Sequence, residues 1–377
     1  MDSRFKHVEA FIQLERGVYE EGSQVNGMII IQSNQPVRAS QLRILFKGEE
    51  KVQYTKMESN PRYVQMTEEE RTRNPDIPHQ LPKHFNNQQP FYNSHHPIAT
   101  FPDGMIQPGV YQYPFGFKLA QGIPNTFEHY WKSEGFQSEA LISYSLTAQL
   151  IADNNDRPLS ETIKYITINN TSNGRMEETK KVTKDHIVYN YCCKDHGSIV
   201  LATYFEKDWY FTDDDAFIVC EIDNSRSQMK INKVTCQLDQ DLICKGSKHD
   251  SVNKSSAIQG QNQELNLLPG KKMTGTNAVR LKLQLARTEG ANINSTVSSE
   301  LVKCSHRINV TLLLEGCCHT IPVNTQNVTL FNRMHLQQIA NSPTGIPTHV
   351  YNPVVFSPQM NYMQPSVQSH NIEYPTM

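Results

Sequence analysis

Two runs of strictly alternating apolar residues constrain this chain more than any other feature. Tyr111, Tyr113, Phe115, Phe117 and Leu119 fall on every second position, and so do Ala140, Ile142, Tyr144, Leu146, Ala148 and Leu150. A period of two puts each set on one face of a strand, so each run predicts a strand with one side on a core. Tyr, Phe and Ile suit a pleated, half-buried surface. Pro114 lacks a ladder donor, so the first of these strands belongs at a sheet edge or a bulge. Gly122 and Pro124 end that run and turn the chain.

The same alternation recurs along most of the sequence. Val8, Ala10, Ile12 and Leu14 predict a first strand, Met28 to Ile31 a second, and Leu42, Ile44 and Phe46 a third. Ile163, Ile166 and Ile168 close this half. Strands resume at Ile187 to Tyr189, Ser198 to Phe205, Ala216 to Ile222 and Val234 to Leu238, then at Val279 to Leu285, Ile308 to Leu314 and Val323 to Leu330. Short strands at regular spacing in two blocks predict tandem β-sandwiches. Residues 55–108 break the pattern with prolines, Gln, Asn and His, and read as a polar, mobile insertion, with one helical turn at Glu68 to Arg71. Residues 171–185 are polar and of mixed charge, and read as a linker. Residues 332–377 have little charge and no periodicity, and read as a disordered tail.

Composition narrows the function. The chain has 377 residues, enough for two domains, and 37% of them are hydrophobic. A net charge of −2 supplies no field toward nucleic acid or anionic lipid. The N-terminus lacks an apolar signal core, and the longest aliphatic run, Met28 to Ile31, is far too short to span a bilayer. The eight cysteines include no Cys-x-x-Cys and read as reduced thiols in and around the cores. Cys304, His306, Cys317, Cys318 and His319 lack metal-ligand spacing, and His79, His84, His95 and His96 read as loop polarity, so no metal is expected. The Asn-x-Ser/Thr sequons at Asn169, Asn170, Asn253, Asn294, Asn309 and Asn327 read as chance matches in an Asn-, Ser- and Thr-rich cytosolic chain. Phosphate-binding Gly loops, His-Glu-x-x-His and Gly-x-Ser-x-Gly are absent, and no residue stands out as a nucleophile or base. No cofactor and no catalytic residue is expected.

Three pieces in order resemble the arrestin fold, and its α-arrestin (arrestin-domain-containing) branch best: Gly109 to Leu119, Ile123 to Glu128 with its Ile-Pro-Asn-Thr-Phe-Glu turn, and Ile142 to Leu150. Val18-Tyr19 through Gly27 and Lys47-Gly48-Glu49-Glu50 are similar to further family signatures, with Ser23 where an acid usually stands. In the second half Gly197, Ile199, Leu201, Asn224 and Ser225 match, while Asp213-Asp214-Asp215 replaces the usual Gly-Asp/Glu turn. The resemblance implies two immunoglobulin-like β-sandwiches, residues 5–170 and 186–331. It also implies a non-enzymatic, cytoplasmic adaptor peripheral to the plasma membrane or endosomes. Its partners would be membrane receptors or transporters, with ubiquitin-ligase or clathrin-adaptor components.

A retromer-type coat subunit shares the fold and is the alternative. Family tails often carry Pro-Pro-x-Tyr for WW domains, and none occurs here. Tyr351-Asn352-Pro353-Val354 and Tyr374-Pro375-Thr376-Met377 fit the loose Tyr-x-x-apolar adaptor pattern. Tyr351, Phe356, Tyr362 and Tyr374 are the expected partner anchors, because aromatic side chains dominate small interfaces.

Overall fold

The computed structural model describes residues 7–331 except 134–135, 153–157, 171–179, 190–193, 208, 248–249, 286–292 and 317, together with 348–350 and 354–356. The first half runs β1 (Val8–Leu14), β2 (Val18–Tyr19), β3 (Gln24–Ser33), β4 (Val37–Arg38) and β5 (Gln41–Ser59). Two short helices follow, α1 (Pro61–Gln65) and α2 (Glu68–Arg73). Then come β6 (Gln80–Thr100), β7 (Met105–Ile106), β8 (Gly109–Lys118), β9 (Phe127–Ser133), β10 (Phe136–Ile151) and β11 (Pro158–Ile168). The second half runs β12 (Val182–Tyr189), β13 (Asp195–Phe205), β14 (Trp209–Phe211), β15 (Asp215–Ser227), β16 (Ile231–Lys245), β17 (Ser251–Leu267), β18 (Lys272–Met273), β19 (Val279–Gln284), β20 (Val297–Ser298), β21 (Val302–Leu314) and β22 (Val323–Phe331). The tail adds β23 (Thr348–Val350) and β24 (Val354–Phe356).

Each half is a two-sheet sandwich, and the protein is all-β in plan. In the first, the sheet β1-β3-β8 faces β2-β11-β10-β5-β6. In the second, β12-β13-β15, with β18 and β19 on β15, faces β14-β22-β21-β16-β17. The repeat extends to details. β2 lies parallel to β11 as β14 lies parallel to β22. β9 and β11 share one flank of β10, as β20 and β22 share one flank of β21.

The alternating runs are the reason for the sheets. Leu42, Ile44 and Phe46 of β5, the even positions Ala140 to Leu150 of β10, and Tyr113, Phe115 and Phe117 of β8 are all buried in one core. Phe46 sits at its centre, 4.8 Å from the Phe117 ring and 5.2 Å from Tyr92. Burying one such side chain contributes about 1.5–3 kcal/mol. Tyr144 keeps its hydroxyl satisfied by donating to the Pro124 carbonyl at 2.6 Å. Gly48 is required where it stands, because a Cβ there would lie 2.6 Å from the Phe91 ring.

Two expectations change. Residues 55–108 are not a mobile insertion, because β6 pairs with β5 from Gln41↔Thr100 to Ser59↔Gln80 and buries Phe91, Tyr92 and Ile98. Its period is hidden by two register shifts, which leave Phe91 and Ile98 as extra residues on β6. Its prolines are tolerated on a strand at the sheet margin. The helical turn is present as α2, with a capping box between Thr67 and Glu70. The expected linker is also shorter, since β12 already begins at Val182 and pairs with β13. No helix among the described residues is long and apolar enough to cross a membrane.

Candidate partner-binding site

Strand β8 positions one candidate surface. The Leu119 N–H donates to the Ser23 carbonyl at 3.0 Å, and the β3–β8 register is unbroken. Alternation then turns the odd residues of β8 toward β3 and the even ones, Pro114 among them, to the opposite edge. The missing proline donor therefore falls on the free side, as the edge reading requires. That side is occupied by the chain's own tail. β23 runs parallel to β8 with Thr348↔Val110 to Val350↔Gln112, and β24 with Val354↔Phe115 to Phe356↔Phe117. The gap between the two paired segments spans Tyr113 and Pro114 of β8. Of the four expected anchors, Phe356 lies in β24, while Tyr351, Tyr362 and Tyr374 fall outside the described residues.

The seam between the sandwiches is the second surface, and alternation does not foretell it. Leu242, Cys244, Val297, Leu301, Val302 and Cys304 of the second half belong to the core of the first. Gly246 packs where a Cβ would lie 2.7 Å from the Tyr54 ring. Lys254 places its ammonium 3.5 Å from the Trp131 ring centre. A polar chain crosses the seam: Asn294 Nδ2 donates to His129 Nδ1 at 3.0 Å, and its backbone N–H donates to Gln240 Oε1 at 2.9 Å. His306 donates to the same Gln240 oxygen through Nε2 at 3.1 Å and meets Thr296 Oγ1 at 3.0 Å through Nδ1. Burial pushes both imidazoles down to about 4, with the Lys254 charge adding to the effect at His129 and Asp241 opposing it at His306. Cys304 and His306 are thus absorbed by core packing, and burial pushes the Cys304 thiol up.

The sequence that forms the first sandwich matches a known module. The family model for the arrestin (or S-antigen) N-terminal domain matches residues 8–175. The first sandwich is thus similar to an arrestin N-terminal domain. Arrestin domains generally serve as adaptors and scaffolds rather than catalysts. In this arrestin-like domain the run Lys47-Gly48-Glu49-Glu50 carries a signal that alternation alone leaves unread. Glu50 stands on the same parity as Phe46, Val52 and Tyr54, and it is 2% exposed. A carboxylate on a core-facing position needs partners, and two of them come from the other sandwich.

Proposed function

We propose that this chain is an adaptor of the α-arrestin type, which holds the cytoplasmic segments of membrane receptors or transporters and links them to endocytic sorting or ubiquitination machinery. The observation that carries this reading is the outer edge of β8, which accepts an extended segment in parallel register over most of its length. Strand addition takes its affinity from main-chain hydrogen bonds and its specificity from alternate side chains, and so fits cargo segments that are unstructured alone. The tail strands occupy that edge in cis. Tyr351, Phe356, Tyr362 and Tyr374 are proposed as the tail's contacts to sorting partners. Without Pro-Pro-x-Tyr, a WW-domain ligase would reach the complex through another subunit or through cargo.

The test uses a chain ending at Phe331 and a synthetic peptide of residues 346–357. The peptide should bind the truncated chain in trans, bind the full-length chain at least about tenfold more weakly, and be displaced by cargo tails. Equal affinity for both chains, or none for either, would remove the edge from the binding surface. Co-purification with retromer-type subunits in place of a receptor or transporter would favour the coat reading.

A further inference from the structure

Glu50 is a buried carboxylate that takes part in none of the ion pairs among the described residues. The nearby cations are engaged elsewhere, Lys47 with Glu49 and Lys51 with Glu139. Three neutral donors satisfy it. Gln89 Nε2 donates to Oε1 at 2.6 Å, while the Ser299 hydroxyl, at 2.6 Å, and the Leu301 N–H, at 3.0 Å, donate to Oε2. Ser299 and Leu301 lie in the turn between β20 and β21, on the second sandwich. A buried anion without a counter-ion is tolerated only when its hydrogen bonds are complete. Docking of the sandwiches therefore completes the hydrogen bonding of Glu50.

The turn itself faces solvent on its other side. Ser298 and Glu300 are exposed, Ser299 is half-buried, and Leu301 is buried in the seam. Ser299 is also what folds the turn, because the Val302 N–H donates to its Oγ at 3.1 Å. One hydroxyl thus closes the turn and donates a hydrogen bond to the carboxylate.

We propose that Ser299 is a phosphorylation site, and that a phosphate there undocks the two sandwiches. A protein kinase would transfer the γ-phosphoryl of ATP to Oγ. The new Oγ–P bond replaces the bond to ADP, which leaves, and the hydroxyl proton passes to the kinase's base. The product lacks the donor that Glu50 uses and carries about −1.5 to −2 charges at pH 7. With the exposed Glu300 adjacent and no cation paired to Glu50 among the described residues, separation relieves the like charges. The freed seam would expose Leu301, Val302 and the Tyr54 ring.

The test installs phosphoserine at position 299 of the full-length chain by genetic code expansion. Cleavage of the 171–185 connection by a protease should speed up about tenfold or more, and the hydrodynamic radius should rise while the far-ultraviolet β signal is kept. In a Glu50→Gln background the phosphate should change cleavage by about twofold at most, since the repelling charge is gone. Ser299→Ala, which removes a hydrogen bond and adds no charge, should leave the radius unchanged. Unchanged cleavage on phosphorylation would overturn the proposal. So would an equal effect in the Glu50→Gln chain, which would show that the phosphate acts by bulk and not by charge. Loss of the β signal would mean unfolding and would overturn it as well.

Discussion

The first sandwich leaves β1 as the margin of its smaller sheet, whereas the second covers the corresponding strand, β13, with an additional strand, β12. Each margin is tied to the facing sheet by a polar side chain. Ser160 Oγ of β11 accepts from the Ala10 N–H at 3.1 Å. Asn324 of β22 does more, donating through Nδ2 to the carbonyls of Val182 and Leu201 and meeting His186 through Oδ1. At the opposite margin the first sandwich carries the tail on β8, and β19 of the second has no further strand beyond it among the described residues. One strand plan thus serves two ends. The second sandwich covers β13 with β12, while the first has β8 paired by two short segments of the tail. Unpaired sheet edges recruit strands, and among the described residues β8 is the edge that has taken one from the tail.

The largest effect that would break this comparison concerns β6. Replacing Met57 to Gln107 by a short Gly-Ser linker should abolish cooperative unfolding of the first sandwich, because it removes Phe91, Tyr92 and Ile98 from the core. Replacing only residues 61–78, which carry the two helices and no buried side chain within them, should preserve a cooperative melt. A cooperative melt for the longer deletion would return residues 55–108 to the status of an insertion.

Next in size is Phe46→Ala, which should cost about 3–5 kcal/mol in denaturant unfolding, since its ring meets Phe117, Tyr92 and Tyr144. Leu238→Ala, its buried counterpart in the second core, should cost about 2–5 kcal/mol. The seam predicts the third effect. His129 and His306 have folded-state values of about 4, below the ordinary 6.5, so the unfolded chain binds more protons between the two. Stability is then full above about pH 6.5 and falls as pH drops toward about 4, by a few kcal/mol in total. His129→Asn should flatten that slope in a pH series of melts, and an unchanged slope would place the titration elsewhere. The smallest effect compares the two margins. Asn324→Ala should cost about 1–3 kcal/mol and Ser160→Ala about 0.5–1.5 kcal/mol, and the reverse order would show that the margins are held in some other way.

How far the fold could be read in advance depended on the face each strand shows to solvent. β5 and β21 each bury one face and leave the other half-buried or exposed along most of their length, so their apolar residues alternate cleanly. β6 lies at a sheet margin, carries Pro82, Pro90 and Pro97, and changes register twice, so Gln, His and Asn fill positions that alternation would assign to a loop. The tail posed a different problem. β23 and β24 are three residues each, and pairing with β8 rather than any periodicity of their own makes them strands.

Local pattern alone determined the all-β class, the two blocks of strands and the faces they bury, because the pleat imposes a period of two wherever one side is dry. The aromatic run of β8 and the phrases around it carried the resemblance of the first block to an arrestin N-terminal domain. The partners of Glu50, His129, Asn294 and Ser299 were decided only by the tertiary structure. Those residues lie up to 249 positions apart, and nothing in the neighbourhood of any one of them names the other. A buried polar group must find a partner, but local sequence states only the need, and the packing of one sandwich on the other supplies the answer.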